Sequence, residues 1–275
     1  MVEPAIAGRA PPAVTDLRGA YEGAAGAWAS GAALLYDRLA EMIAAHVDGD
    51  PRGKTVLDAG AGTGALCRAL GRRGARMVAL DASPDMLSYV DGAVCGCVAG
   101  DILELPFRDA AFDAAVSGFA ISHVHTPSRA LSELARVVTP GGSVTVAVFG
   151  EAPPHESKHA VDDVAVEFGF QRPSWYVELK TVTEPRSNTP HLLLRCANDA
   201  GLRDAHVVDI RHVPALERAE DIVTYRSGMA HLAPFLASLT RDQRAEFTAR
   251  AVEALRRNRQ PVRPRLLILT SRAAA

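Results

Sequence analysis

Two hydrophobic periods alternate along the chain. Thr15–Val47 carries Leu34, Leu35, Leu39, Met42 and Ile43 at three- and four-residue spacings, which predicts an amphipathic helix. From Thr55 the pattern changes to short apolar runs. Thr55–Asp58, Arg76–Leu80, Ala93–Ala99, Ala111–Gly118 and Ser143–Phe149 read as strands, with helices at Ala65–Gly71, Pro84–Val90 and Pro127–Val138 between them. Ser83 is placed as an N-cap with Pro84 at the first helical position. Leu131, Leu134 and Val138 share a face of the later helix, which Pro140-Gly141-Gly142 is expected to stop. Such alternation predicts an α/β fold with a mostly parallel sheet covered on both faces, binding ligands beyond the carboxyl ends of its strands.

Residues 150–190 interrupt this rhythm with Pro153-Pro154 and an amphipathic piece at Val161–Phe170, and they read as an inserted cap. The pattern then resumes. His191–Ala200 reads as a helix closed by Gly201, Ala205–Val213 as a sixth strand, Glu220–Leu239 and Gln243–Arg256 as helices, and Arg265–Thr270 as a last buried strand. The expected division is an N-terminal tail and helical lid at 1–50, a ligand-binding core at 51–150, a substrate cap at 151–190, and a C-terminal part at 191–275 that completes the same sheet. Residues 1–15 are Ala/Pro-rich and read as a disordered tail.

Composition narrows the partners. A length of 275 residues with 48% hydrophobic content suits one large domain. A net charge of −2 argues against a general nucleic-acid binder, and the basic stretch Arg256–Arg265 reads as solvated surface. No apolar run reaches the roughly 18 residues of a membrane span, and Met1–Ala13 lacks the pattern of a signal peptide. The cysteines at 67, 95, 97 and 196 include no zinc-type pair of pairs, so no metal is expected, and reduced thiols with a cytoplasmic location are.

The candidate chemistry centres on Val56–Gly64. Two apolar residues end a strand, Asp58 follows, Gly60, Gly62 and Gly64 alternate, and a helix begins. Glycine admits positive φ and leaves no Cβ between backbone and ligand, and the helix amides point at the turn. The spacing also fits a dinucleotide fingerprint with Ala65 in its last place, so this loop alone leaves a nicotinamide cofactor and another nucleoside both open. Asp81 ends the second strand, where a carboxylate can accept hydrogen bonds from ribose hydroxyls. Asp101-Ile102 pairs a carboxylate with an aliphatic side chain, as the amine and face of adenine require.

Five stretches extend the pattern: Val56–Gly64, Ala79–Leu87, Gly100–Phe107, Phe112–Val116 and Glu133–Gly142. In order and spacing they resemble class I S-adenosylmethionine-dependent methyltransferases, nearest to the ubiquinone/menaquinone-biosynthesis-like small-molecule branch. The likeness covers about Tyr21–Gly150. It implies a Rossmann-like seven-stranded sheet with an antiparallel seventh strand, supplied by Arg265–Thr270. It also implies that Asp58 and Gly60, Gly62 and Gly64 hold the amino-acid end of S-adenosylmethionine. An ammonium suits Asp58, whereas a pyrophosphate would be repelled by it. By the same resemblance Asp81 takes the ribose, Met86, Asp101 and Ile102 the adenine, Ser117 lines the methyl-donor end, and Tyr21 belongs to the lid. His123 is the candidate general base, with His125 beside it as a loop cap. His155, His159 and His191 read as surface residues.

The aromatic cap residues Phe168, Phe170, Trp175 and Tyr176, with Tyr225 and Arg226 further on, suggest a small apolar or aromatic acceptor. The Ala/Arg-rich, lysine-poor composition and the branch likeness together point to bacterial secondary metabolism. The expected partners are that small-molecule acceptor and a second copy of the chain. Two rivals stand beside methyl transfer: a cyclase or regulatory protein that binds the same cofactor without transfer, and a nicotinamide-dependent oxidoreductase.

Overall fold

Seven strands lie in one sheet: β1 (Thr55–Ala59), β2 (Arg76–Asp81), β3 (Val94–Ala99), β4 (Phe112–Gly118), β5 (Val138–Phe149), β6 (Arg203–Ile210) and β7 (Leu266–Arg272). Their order is β3-β2-β1-β4-β5-β7-β6. The pairs from β3 to β5 are parallel, and β7 runs antiparallel to both β5 and β6. This is the mostly parallel sheet with an antiparallel seventh strand that the resemblance implied. The computed structural model describes residues 17–91, 94–257 and 260–274, with the side chain of Arg18 excepted. The expected tail, the signal-peptide reading and the Ala93 start of the third strand lie outside these residues.

The helices follow the chain as α1 (Ala25–Ala27), α2 (Ala33–Ala45), α3 (Ala65–Arg72), α4 (Pro84–Leu87), α5 (Pro127–Val137), α6 (Glu156–Glu167), α7 (Ser174–Glu178), α8 (Pro190–Asp199), α9 (Ala219–Ser227), α10 (Ala233–Ser238) and α11 (Arg241–Arg257). They form two apolar layers, one on each face of the sheet. Leu266 and Ile268 of β7 join the layer with α2, α3, α6, α9 and α11, while Leu267 and Leu269 join the layer with α5 and α8. That is why β7 reads as an unbroken apolar run: with both faces covered, neither parity of position meets water. None of the described helices is long and apolar enough to cross a membrane.

Several boundaries differ from expectation for identifiable reasons. Helix α5 ends at Val137 and β5 begins at Val138, so Pro140-Gly141-Gly142 lies inside an extended run and does not stop the helix. Gly142 is required there, because a Cβ would stand 2.6 Å from the Asp113 carbonyl oxygen. The sixth strand starts two residues early and ends at Ile210, where its pairing with β7 ends. The cap helix α6 starts at Glu156. The single helix expected over Glu220–Leu239 is broken into α9 and α10 at Gly228–Leu232. A Cβ on Gly228 would lie 2.4 Å from the Ala32 nitrogen, and one on Gly31 would lie 2.5 Å from the Thr224 carbonyl oxygen. The backbones of the N-terminal segment and α9 therefore touch at two glycines. The N-terminal helix is itself interrupted at this crossing by a π turn over Trp28–Ala32.

Candidate active site

The site is built on the carboxyl ends of β1, β2 and β4. After Asp58 the chain turns through Gly60, Gly62 and Gly64, with φ of +79°, +54° and +84°. A side chain at Gly60 would have to displace Ala120, whose Cβ would be 2.2 Å away. The amides of Gly60 and Ala61 donate to the Leu80 carbonyl at 2.7 and 2.9 Å, which fastens the loop to the end of β2. Gly64 stands at the N-cap of α3 in the left-handed conformation.

Asp58 is buried, and its Oδ2 accepts from the Cys67 thiol at 3.3 Å. Its Oδ1 has no partner among the described residues. Burial pushes its pKa up to about 7, opposed by the Cys67 hydrogen bond. Asp81 is anchored more fully: Oδ2 accepts from the Gly62 amide at 2.8 Å and Oδ1 from the Ser83 amide at 2.9 Å. Burial raises its pKa as well, and those amides oppose the rise. Ser83 caps α4 as expected, accepting from the Met86 amide at 3.3 Å. The Asp101 carboxylate accepts from the Leu103 amide at 2.8 Å.

These groups line one cavity of about 540 Å³. Asp58, Gly60, Gly62, Asp81, Met86, Asp101 and Ile102 face it, as do Tyr21 and His123. The same wall carries the aromatic side chains of Trp28, Tyr36 and Phe119. Trp28 lies 4.7 Å from Tyr36 between ring centres, and Tyr36 lies 5.2 Å from Phe119. Tyr21 closes over His123, with Oη 2.7 Å from Nε2. His123 Nδ1 is 3.0 Å from the Phe119 carbonyl oxygen. A carbonyl can only accept, so Nδ1 carries the proton and Nε2 accepts from the Tyr21 hydroxyl. Burial lowers the pKa of His123, which disfavours protonation of the ring and fits this tautomer.

The remaining expected residues divide. Ser117 is buried without a hydrogen-bond partner among the described residues and is not in the cavity wall, whereas its neighbour Gly118 is. Trp175 is not in the cavity wall; its ring stands 6.1 Å from that of Tyr21, centre to centre. Tyr176, Tyr225 and Arg226 belong to an adjoining buried cluster. Arg226 makes a two-pronged pair with Asp162, Nε–Oδ1 and Nη2–Oδ2 both at 2.7 Å, and donates to Tyr176 Oη at 3.3 Å. The guanidinium is thus committed to fastening α9 to α6, and the expectation that it contacts substrate is corrected accordingly. Tyr176 stacks on His231 at 3.9 Å and 10°. His125 lies 3.0 Å from the Glu178 carboxylate. Sequence reasoning missed Tyr36 and Phe119 as wall residues. Tyr36 lies within the helix predicted over Thr15–Val47, and nothing in the periodicity marks Phe119, a non-glycine residue at φ +68°.

Comparison with known proteins agrees with this geometry. A family model described as a methyltransferase domain matches residues 57–146. Demethylmenaquinone methyltransferase of Thermobifida fusca is 42% identical over 108 residues, 37% of this chain and 46% of the relative. Malonyl-acyl-carrier-protein O-methyltransferase of Pseudescherichia vulneris is 39% identical over 135 residues, 47% of this chain and 53% of the relative. The chain thus spans about half the length of these curated relatives. Among solved structures, Haemonchus contortus phosphoethanolamine N-methyltransferase 2 superposes with TM-score 0.55 at 17% identity, over 86% of this chain and 52% of that one. The 4+2 cyclase SpnF superposes with TM-score 0.55 at 19% identity, over 87% and 81%. These two likenesses concern the fold. Residues 57–146 therefore carry a methyltransferase domain, set in a seven-stranded sheet of order β3-β2-β1-β4-β5-β7-β6.

Proposed function

We propose that this chain transfers the methyl group of S-adenosylmethionine to a small apolar or aromatic acceptor. The observation that carries this is one cavity whose wall combines the carboxylates of Asp58, Asp81 and Asp101 around a glycine turn with the aromatic side chains of Tyr21, Trp28, Tyr36 and Phe119. The buried, unpartnered Oδ1 of Asp58 matches an ammonium and would repel a pyrophosphate, so the residues present fit S-adenosylmethionine better than a nicotinamide dinucleotide.

When bound, the cofactor supplies an electrophilic methyl on a sulfonium. Asp58 and the amides of the glycine turn hold its amino-acid end. Asp81 has lone pairs left for the ribose hydroxyls after accepting from Gly62 and Ser83. Met86 and Ile102 enclose the adenine, with Asp101 toward its amine. The aromatic walls exclude water and aim the acceptor lone pair at the methyl. Proximity and orientation of this kind contribute on the order of 7–11 kcal/mol in favourable cases. The Nε2 lone pair of His123 is occupied by the Tyr21 hydroxyl, so its first role is to hold Tyr21 down over the cavity. It serves as a base only when that hydrogen bond opens.

The test is calorimetric titration with S-adenosylmethionine, S-adenosylhomocysteine and NAD, followed by an assay of homocysteine-thioether formation across a panel of acceptors. Micromolar binding of the first two and acceptor-dependent production of S-adenosylhomocysteine are expected. Binding of NAD alone would overturn the cofactor assignment. Conversion of an acceptor with no S-adenosylhomocysteine formed would move the chain to the cyclase-like reading. Tyr21→Phe and His123→Asn should weaken cofactor retention in parallel if the pair acts as a closure. A loss of turnover in His123→Asn alone would make the histidine a base.

A further inference from the structure

Helix α3 buries Leu66, Cys67, Ala69 and Leu70. Packing alone would be served at position 67 by an apolar side chain of similar size. What the thiol adds is a weak S–H donor. Its Sγ lies 3.3 Å from Oδ2 of Asp58 on β1, nine positions earlier. Asp58 is 1% exposed and lines the cavity, and its Oδ1 has no hydrogen-bond partner among the described residues. A cofactor-facing carboxylate is thus held, on one oxygen, by a cysteine that does not itself line the cavity.

The charges around this pair leave it no cation. Asp81 on β2 adds a like charge, and Val116, beside Asp58 on β4, adds none. Arg68, next to Cys67 on α3, reaches instead to Asp37 at 2.8 Å and Asp91 at 3.3 Å. The Cys97 thiol on β3 is exposed and bears on Cys67. Asp101, Tyr21, Tyr36, His123 and His125 line the same cavity. Burial is the largest influence on Asp58 and takes its pKa up to about 7, the Cys67 thiol and amide pull it down, and Asp81 pushes it up. Burial and the Asp58 charge push the Cys67 thiol up, so it remains a protonated donor across the neutral range.

Building on the methyl-transfer reading, we propose that Cys67 is a positioning residue for cofactor binding: its thiol, donating to Oδ2, favours the ionised form of the buried Asp58 and leaves Oδ1 for the cofactor ammonium. A strong donor in its place would satisfy the carboxylate within the fold, and an apolar side chain would leave it protonated at neutral pH. The thiol does neither. It tips Asp58 toward the charged form and leaves most of its hydrogen-bonding capacity for the ligand to meet. Asp81, held by two backbone amides, needs no such partner.

The experiment is a carbon-13 NMR titration of the Asp58 carboxyl in the full chain, its resonance identified by its loss in Asp58→Asn, with calorimetric titration of S-adenosylhomocysteine at pH 6 and pH 8 beside it. Cys67→Ala should move the Asp58 midpoint up by about half a pH unit, as loss of one weak hydrogen bond to the charged form predicts. Its affinity for S-adenosylhomocysteine should then fall about threefold at pH 6 and stay within about twofold of the parent at pH 8, where Asp58 is mostly charged in both. Cys67→Ser restores a donor and should return the midpoint to the parent value or below it. A midpoint unmoved in Cys67→Ala, the same upward move in Cys67→Ser, or an affinity loss of equal size at both pH values would overturn the proposal, the last because it marks a packing defect. Failure of S-adenosylhomocysteine to bind the parent chain would instead count against methyl transfer, and the NMR midpoints, read without cofactor, would still decide whether Cys67 governs Asp58.

Discussion

Asp58 and Asp81 end adjacent strands, Asp58 buried and Asp81 half-buried, and their surroundings differ. Asp81 has two amides to hold it as a carboxylate. Asp58 has one thiol and an empty-handed Oδ1. On the proposed reading, in which Asp81 accepts two charge-assisted hydrogen bonds from the ribose, replacing it by alanine should cost about 3 kcal/mol of cofactor binding, roughly a hundredfold in Kd by calorimetry. Asp58 should make the same binding sensitive to pH. Its pKa of about 7 in the free protein leaves it neutral below that value and charged above it. An ammonium needs the charged form, so S-adenosylhomocysteine should bind about tenfold more weakly at pH 6 than at pH 8. Asp58→Asn should bind weakly and flatten that profile. Because the folded pKa is raised above the unfolded one, the free protein itself loses stability as pH rises from about 4 to about 7. The positions of Asp58, Asp81 and Asp101 were legible in the sequence because each follows a strand whose end is marked by apolar residues. Arg226 was misread because its partner Asp162 lies 64 positions away, and no local pattern joins them.

At the scale of elements, strands buried on both faces were the easiest to read, and the half-covered β6 and the cap were the hardest. An apolar run such as Leu266–Leu269 has no other use than to sit between two helix layers. The break between α9 and α10 was hidden because Gly228 looks like a tolerated glycine in a helical pattern. Its φ is −80°, so no unusual backbone shape demands glycine. The demand is steric, from Ala27 and Ala32 of the lid segment. Gly228→Ala should therefore destabilise the chain by about 2 kcal/mol in urea unfolding, as overpacking does. It should also loosen Trp28 and Tyr21 and raise the Kd for S-adenosylhomocysteine. A change in stability with no change in cofactor affinity would mean that the lid and the crossing are independent.

Across the whole molecule, the cap is joined to the C-terminal part by the Asp162–Arg226 pair, with both side chains almost wholly buried. Breaking such a pair leaves an uncompensated charge, so Asp162→Leu should cost about 3 kcal/mol in chemical unfolding. The double variant Asp162→Leu, Arg226→Leu should cost less than either single change, since no charge is left behind. Equal costs that add would show the two groups to be uncoupled. The pair also fixes α6 against α9.

The antiparallel strand β7 has a consequence for how the chain is made. It fills the gap between β5 and β6, and among the described residues β6 has no other sheet partner. A nascent chain emerging from the ribosome can assemble β1 to β5 with their helices, but β5 keeps an open apolar edge until Leu266–Arg272 has been synthesised. Until then β6 and the helices after it have nothing to close on, and the exposed edge is a template for pairing with a neighbouring chain. Translation stalled or truncated before Leu266 should therefore yield aggregates, and a chaperone that shields strand edges should act on this protein late in its synthesis.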